Sequence, residues 1–221
     1  MAKHLQRELE KIRNNILRLG ALVEDRVRSV IVSIQSRDVE SADLIIKSDF
    51  EIDEMEVEIE EECLKVLALH QPVAVDLRFL VSVIKINNDL ERIADETVNI
   101  AYRLKTIAKD NTSDFIFDYA LMAEKARSML KMSLDAFVQI DSDLAYKVCV
   151  LDSEVDVFVR QAYEQLNLSL HENSEHSGSY VNMFLMSRHI ERIADHATNI
   201  AEETIYMVDG EIVRHNKFDK E

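Results

Sequence analysis

The chain contains 221 residues, of which 47% are hydrophobic and 31% are charged, with only three Gly and one Pro. This composition is typical of a soluble globular protein, and the scarcity of Gly and Pro argues against a strand-rich fold with many turns. The formal net charge of −16 argues against nucleic acid or an anionic membrane as a direct partner.

The sequence also predicts where the protein resides. The chain opens with Met-Ala-Lys-His-Leu-Gln-Arg-Glu, which is not a signal peptide. Its apolar runs fall short of the ~18 residues that a membrane-spanning helix needs. Cys63 and Cys149 lie in apolar helical patterns, so we expect reduced, buried thiols. We therefore predict a cytoplasmic protein without direct membrane insertion.

Six long helices are predicted in chain order. Ser36-Arg37-Asp38 interrupts the first helical stretch, and Asp38 is suited to cap the next helix. The second helix ends at His70-Gln71-Pro72 because the residue before a proline disfavours the α region. Further polar breaks separate the remaining helices, and they lie at residues 110–114, 141–143 and 172–179. The sixth helix runs from about Tyr180 to about Asp209. We predict an all-α fold of two tandem three-helix bundles, residues 1–110 and 114–221.

An internal duplication relates the two halves. Residues 91–101 read Glu-Arg-Ile-Ala-Asp-Glu-Thr-Val-Asn-Ile-Ala, and residues 191–201 read Glu-Arg-Ile-Ala-Asp-His-Ala-Thr-Asn-Ile-Ala. One helix earlier, the segment from Asp49 to Asp53 matches the segment from Asp152 to Asp156. Each half therefore carries two pairs of acidic residues, four positions apart and in the same order.

Helical periodicity separates the core side of the third and sixth helices from their polar side. The predicted core stripe of the third helix is Val83, Ile86, Leu90, Ile93, Thr97, Ile100, Leu104 and Ile107. The sixth helix repeats this stripe as Met183, Met186, Ile190, Ile193, Ala197, Ile200, Thr204 and Met207. The opposite side carries the polar residues Asn88, Glu91, Asp95, Asn99, Glu191, Asp195 and Asn199. Asp49 and Asp152 fall at the margin of the core stripes of the second and fifth helices.

These acidic pairs favour a bound cation. Like charges at i and i+4 destabilise a helix by a few tenths of a kcal/mol, and a cation would remove that cost. Carboxylate and amide oxygens are the ligands of hard ions such as Mg, Mn, Fe or Ca. The ligand set does not resemble a zinc site built from thiolates. His196 follows Asp195 and is a possible extra ligand, although Glu96 holds its place in the first half. Two other interpretations stay open: a solvated face, and salt bridges to Arg92 and Arg192.

In these features the sequence resembles the PhoU family of phosphate-signalling regulators. The resemblance rests on the two Glu-Arg-Ile-Ala-Asp segments, the Asp-x-x-x-Asp segments before them, and the segment from Pro72 to Arg78. It covers nearly the whole chain. The second half departs from it, because nothing after Gly178 corresponds to Asp76-Leu77-Arg78.

The resemblance implies a metal-binding adaptor. The implied metal ligands are Asp49, Asp53, Glu91, Asp95, Asp152, Asp156, Glu191 and Asp195, with Asn88, Asn99, Asn199 and His196 as possible additional or supporting groups. The ion would be divalent or trivalent (Fe, Mn, Mg or Zn). Asp76, Arg78, Arg92 and Arg192 are possible partner contacts.

The implied function is negative regulation of phosphate uptake and of the phosphate-starvation (Pho) response. The implied partners are the ATPase subunit of a phosphate ABC transporter and a membrane sensor kinase, and the implied assembly is a homodimer. The sequence lacks a nucleophile–base pair and a Gly-rich phosphate loop, which favours binding over catalysis. Two alternatives remain, both unrelated to phosphate signalling: a metal-binding or salt-bridged helical scaffold, and a di-metal carboxylate protein.

Overall fold

The computed structural model describes residues 2–109 and 116–213, and the regular structure within them is entirely helical. The elements in chain order are α1 (Ala2–Ser36), α2 (Val39–Lys47), α3 (Phe50–His70), α4 (Ala74–Ile107), α5 (Tyr119–Gln139), α6 (Ser142–Glu172), a single 3₁₀ turn (Ser174–His176) and α7 (Ser177–Asp209). The predicted boundary at residues 110–114 lies outside the described residues. In the described part of the chain, none of the helices is both long enough and apolar enough to cross a bilayer.

The second predicted helix is interrupted. Asp38 caps α2 as expected, since its carboxylate accepts hydrogen bonds from the backbone N–H groups of Glu40 and Ser41. The helix then stops after Lys47, and α3 starts at Phe50. Arg26 of α1 stabilises this break, because its guanidinium donates to the main-chain oxygens of Ile45 and Ser48 that the break leaves available. Together, α2 and α3 fill one helix position of the first bundle.

The fold is the predicted pair of tandem three-helix bundles. The first bundle packs α1, α2 with α3, and α4, and the second packs α5, α6 and α7. Every residue of the two predicted core stripes on α4 and α7 is buried. Both cysteines are buried, free thiols. The hydrophobic pattern therefore fixes the inward face of each long helix.

The two bundles meet mainly through α4 and α7, which run antiparallel. Ser82 near the start of α4 donates to the main-chain oxygen of Glu203 near the end of α7, at 3.2 Å. Arg103 near the end of α4 donates to Asn182 near the start of α7, also at 3.2 Å. Because α7 repeats α4 at an offset of 100 residues, position 82 corresponds to position 182 and position 103 to position 203. The two contacts therefore join equivalent positions, with α4 and α7 exchanged.

A second contact joins α1 and α5. Gly20 of α1 lies so close to Leu134 of α5 that a Cβ added at Gly20 would come within 3.0 Å of that side chain. The close approach of these helices and the α4–α7 contact hold the bundles side by side, which leaves α3 and α6 on the outer flanks.

Candidate functional site

The first acidic cluster consists of Asp49 and Asp53 on α3 with Glu91 and Asp95 on α4. Asp49 lies at the break between α2 and α3, and its main-chain oxygen accepts hydrogen bonds from Ile52 and Asp53 in the first turn of α3. Asp49, Glu91 and Asp95 are half-buried, and Asp53 is exposed. Two neighbouring helices therefore contribute carboxylates to one edge of the first bundle.

The charges of this cluster repel one another across the two helices. Partial burial raises the pKa of Asp49, and the negative charges of Asp53 and Asp95 raise it further. Burial also raises the pKa of Glu91 and of Asp95, and in both cases Asp53 adds to the effect. The ionised forms are therefore destabilised in the folded protein, and a nearby cation would relieve that cost.

One arginine already neutralises part of the first acidic cluster. The Arg92 guanidinium lies 3.4 Å from Glu91 and 3.5 Å from Asp95. Its charge opposes the rise in pKa of both carboxylates. Since Arg92 is exposed, this ion pair is weak and easily displaced.

The second acidic cluster repeats this arrangement on α6 and α7, with Asp152, Asp156, Glu191 and Asp195. Burial and the charges of Asp152, Glu191 and Asp156 raise the pKa of Asp195 to about 6. Burial also raises the pKa of Asp152, with the charge of Asp156 adding to it.

The second acidic cluster has different polar neighbours from the first. Asp152 accepts a hydrogen bond from the Thr198 hydroxyl at 3.3 Å, and the corresponding residue in the first half is Val98. Arg188 donates to Glu191 at 2.8 Å, so the arginine that meets the second cluster is not the repeat equivalent of Arg92. The acids are shared by the two copies, whereas their cationic partners differ.

The chemistry of both clusters fits a hard cation. Their donor atoms are carboxylate oxygens, which Mg²⁺, Mn²⁺, Ca²⁺ and Fe ions accept. Burial and mutual repulsion both raise the pKa values of these carboxylates, so binding such an ion would offset a cost that is already present. In residues 2–109 and 116–213, however, no group of three or more His, Cys, Asp or Glu side chains has the arrangement that would hold a metal. Binding would therefore require the carboxylates to change rotamer and to leave their arginine partners.

Several other predicted site residues face the contact between the halves. Nδ1 of His196 lies 2.8 Å from Oδ1 of Asp89, and Asn199 donates to the same oxygen at 3.1 Å. Arg192 lies 2.9 Å from Glu96 across the same contact. These residues of α7 thus serve to hold α7 against α4.

The remaining predicted residues lie at the ends or edges of α4. Arg78 donates to the main-chain oxygen of Met207 at 3.4 Å, close to the end of α7. Asp76 is half-buried in the first turn of α4. Asn88 is exposed, and Asn99 forms a hydrogen bond that helps to lower the pKa of Glu96.

Sequence reasoning missed the two His–carboxylate pairs between α4 and α7. Nδ1 of His189 lies 2.7 Å from the buried Glu96, and His196 meets Asp89. Burial alone would raise the pKa of Glu96, but the hydrogen bond to His189 and the charge of Arg192 outweigh it and lower that pKa. The signal was present in the repeat, where residues 89 and 189 are Asp and His and residues 96 and 196 are Glu and His. Positions at which two copies exchange an acid for a base are candidates for contact between the copies.

Comparison with known proteins places these features in a family. The family model described as the PhoU domain matches the chain twice, over residues 16–104 and 119–204. A phosphate-specific transport system accessory protein PhoU homolog of Clostridium acetobutylicum is 34% identical over 215 residues, with 97% of this chain and 98% of that protein covered. Its counterpart in Pseudomonas aeruginosa is 35% identical, with 97% and 89% covered.

Solved structures agree with this placement. The crystal structure of PhoU from Pseudomonas aeruginosa superposes with a TM-score of 0.88 at 34% identity, covering 93% of this chain and 99% of that one. The phosphate transport system regulatory protein PhoU from Streptococcus pneumoniae gives a TM-score of 0.84 at 30% identity, covering 95% and 99%.

Proposed function

The chain belongs to the PhoU family, and we propose that it regulates phosphate uptake through a phosphate-specific transport system. The observation that carries this proposal is the match of nearly the whole chain to phosphate transport accessory proteins over nearly their whole length. Both bundles are included in that match, so neither half is an unrelated addition.

We further propose that the regulation is negative and that the protein acts as an adaptor. Its partners would be the ATPase subunit of a phosphate ABC transporter and a membrane sensor kinase, each bound by a homodimer of this chain. The long exposed flanks of α3 and α6 offer the helical surface that such docking needs. The marked negative charge favours partners with basic surfaces.

The two acidic clusters would hold a divalent or trivalent ion in this proposal. The carboxylates within each cluster repel one another, and the same four positions are acidic in both copies. When bound, the ion would supply positive charge at the outer edge of each bundle. The protein's own residues then present the surface around it, with Arg92 and Arg188 released from their carboxylates.

The regulatory role is tested by deletion in the native bacterium. We expect deletion to raise alkaline phosphatase expression in phosphate-rich medium, and plasmid-borne wild-type protein to restore repression. Unchanged phosphatase expression and unchanged phosphate uptake would contradict the proposal.

Two further measurements test the adaptor and the metal separately. Affinity purification from membranes of phosphate-replete cells should recover the transporter ATPase and the sensor kinase, and their absence would contradict the adaptor role. Elemental analysis of the purified protein, followed by titration with Mn²⁺ and Zn²⁺, should show metal bound at micromolar concentrations. If the protein takes up neither ion, the proposed metal binding is wrong, whereas the proposed regulatory role is unaffected.

A further inference from the structure

A row of apolar side chains runs along the outer face of α3. Phe50, Val57 and Leu64 are 56%, 52% and 52% exposed. They are seven residues apart, so they lie almost in line over two heptads, a length of roughly 21 Å. We call Phe50, Val57 and Leu64 the outer row. It faces directly away from the core side of α3, where Ile52, Ile59, Cys63 and Val66 are buried.

The second copy of the repeat shows that this fold does not require the outer row. At the offset of 103 residues that aligns Asp49 with Asp152, the equivalents of the outer row on α6 are Ser153, Arg160 and Asn167. All three are exposed as well. The same structural position is therefore apolar on α3 and polar on α6. Apolar side chains in line on one exposed helix face cost solubility without stabilising the monomer, which indicates a function specific to the first half.

The charge around the outer row determines what can cover it. From Phe50 to His70, α3 carries eight carboxylates and one lysine. Glu54 and Glu61 are exposed and lie beside the row, one turn after Phe50 and Val57. A second copy of this chain would bring the same acidic face against itself, and anionic lipid would be repelled in the same way.

We propose that the outer row docks a basic amphipathic helix of another protein. Apolar residues of that helix would pack between Phe50, Val57 and Leu64, and its Lys or Arg residues would face Glu54, Glu61 and their neighbours. The row spans the length of about four turns of a partner helix, and the acidic flanks fix the sign of the partner's charge. This inference deepens the proposed adaptor function by assigning one surface and one class of partner to it.

The test compares full-length wild-type protein with the neutral triple variant Phe50→Ser, Val57→Gln and Leu64→Asn. The probe is a synthetic 21-residue helix with Leu at heptad positions a and d and Lys at e and g, and affinity is measured by fluorescence anisotropy at 150 mM salt. A matched control removes three exposed apolar residues from the second bundle: Leu121→Ser, Val157→Gln and Leu168→Asn. Neither variant changes the net charge, and circular dichroism checks that each is folded.

We expect the triple variant to bind the basic helix at least tenfold more weakly than the wild type and the control do. A peptide with Glu in place of Lys should bind to none of the three proteins. Equal affinity for wild type and triple variant would overturn the proposal, because binding would then be non-specific attraction to an acidic protein. A dimer that dissociates only in the triple variant, seen by analytical ultracentrifugation, would also overturn it, because the row would then cover a second copy. Neither of these two results would change the phosphatase phenotype of the deletion strain. Failure of this inference can therefore be distinguished from failure of the proposed function.

Discussion

Neutralising one carboxylate of the second acidic cluster should stabilise the metal-free protein. The substitution is Asp195→Asn, which keeps the shape of the side chain and removes its charge. Burial and three neighbouring carboxylates raise the pKa of Asp195 from 3.8 to about 6, so at pH 7 the folded protein holds this group ionised at a cost.

The magnitude follows from that pKa. The difference between 3.8 and about 6 corresponds to about 3 kcal/mol between the two protonation states. Because the Asp195 residue is exposed to solvent, screening by water and salt lowers the expected gain to about 1 kcal/mol. For a chain of this size that gain raises the melting temperature by about 2–4 °C.

The pH dependence has a defined sign. The folded state binds this proton more tightly than the unfolded chain does, so the wild type loses stability as the pH rises from about 4 through about 6. The advantage of Asp195→Asn should therefore be absent near pH 4 and complete at pH 7. Thermal unfolding followed by circular dichroism, in EDTA and low salt, measures it.

The first half provides a matched control. Asp95 is the repeat equivalent of Asp195, but Arg92 lies 3.5 Å from it and partly neutralises it. We expect Asp95→Asn to stabilise the protein less than Asp195→Asn does. A destabilising effect of Asp195→Asn at pH 7, or an equal advantage at pH 4, would refute the account of mutual repulsion.

Three further perturbations test the metal, the helix break and the contact between the bundles. Mn²⁺ should raise the melting temperature of the wild type by several degrees and that of the double variant Asp152→Asn, Asp195→Asn by clearly less, in calorimetry with and without EDTA. Arg26→Met should lower the free energy of unfolding, measured in urea, by about 2 kcal/mol, because main-chain oxygens at the end of α2 lose a charged donor. The control Arg28→Met, on the exposed side of α1, should change it by less than about 0.5 kcal/mol. Glu96→Gln should cost about 3 kcal/mol at pH 7, because Arg192 and the His189 ring lose the buried carboxylate that they contact. That loss should shrink as the pH falls through the lowered pKa of Glu96, and an unchanged difference at pH 3 would argue against the ion pair with Arg192.

Local patterns predicted the helices and their inward faces because those features depend on residues close in sequence. The core stripes of α4 and α7 follow from 3.6-residue periodicity, and the cap at Asp38 follows from one side chain and the N–H groups just after it. The repeat also predicted which acids share a helix edge. In each half, charge repulsion acts between the acids of the two neighbouring helices. Their role as metal ligands stays a prediction.

The features that were not predicted depend on contacts between distant segments. The break at Ser48 and Asp49 is stabilised by Arg26, which lies 22 residues away from Ser48 on another helix. At the repeat offset of 103 residues Asp49 corresponds to Asp152, through which α6 continues unbroken, so the aspartate alone does not produce the break. The arginine partners of the two clusters also differ, which a strict repeat does not predict.

The contact between the bundles explains why the two copies had to diverge. Because α4 and α7 are copies of each other and run antiparallel, position 89 contacts position 196 and position 189 contacts position 96. Two identical copies with the first-half residues would place Asp opposite Glu twice, and two with the second-half residues would place His opposite His twice. With acids on α4 and histidines on α7, both meetings become favourable at once. Divergence at two positions in one copy is therefore enough to convert a repulsive contact into a specific one, while the acidic clusters on the outer edges, which face no copy of themselves, remain alike.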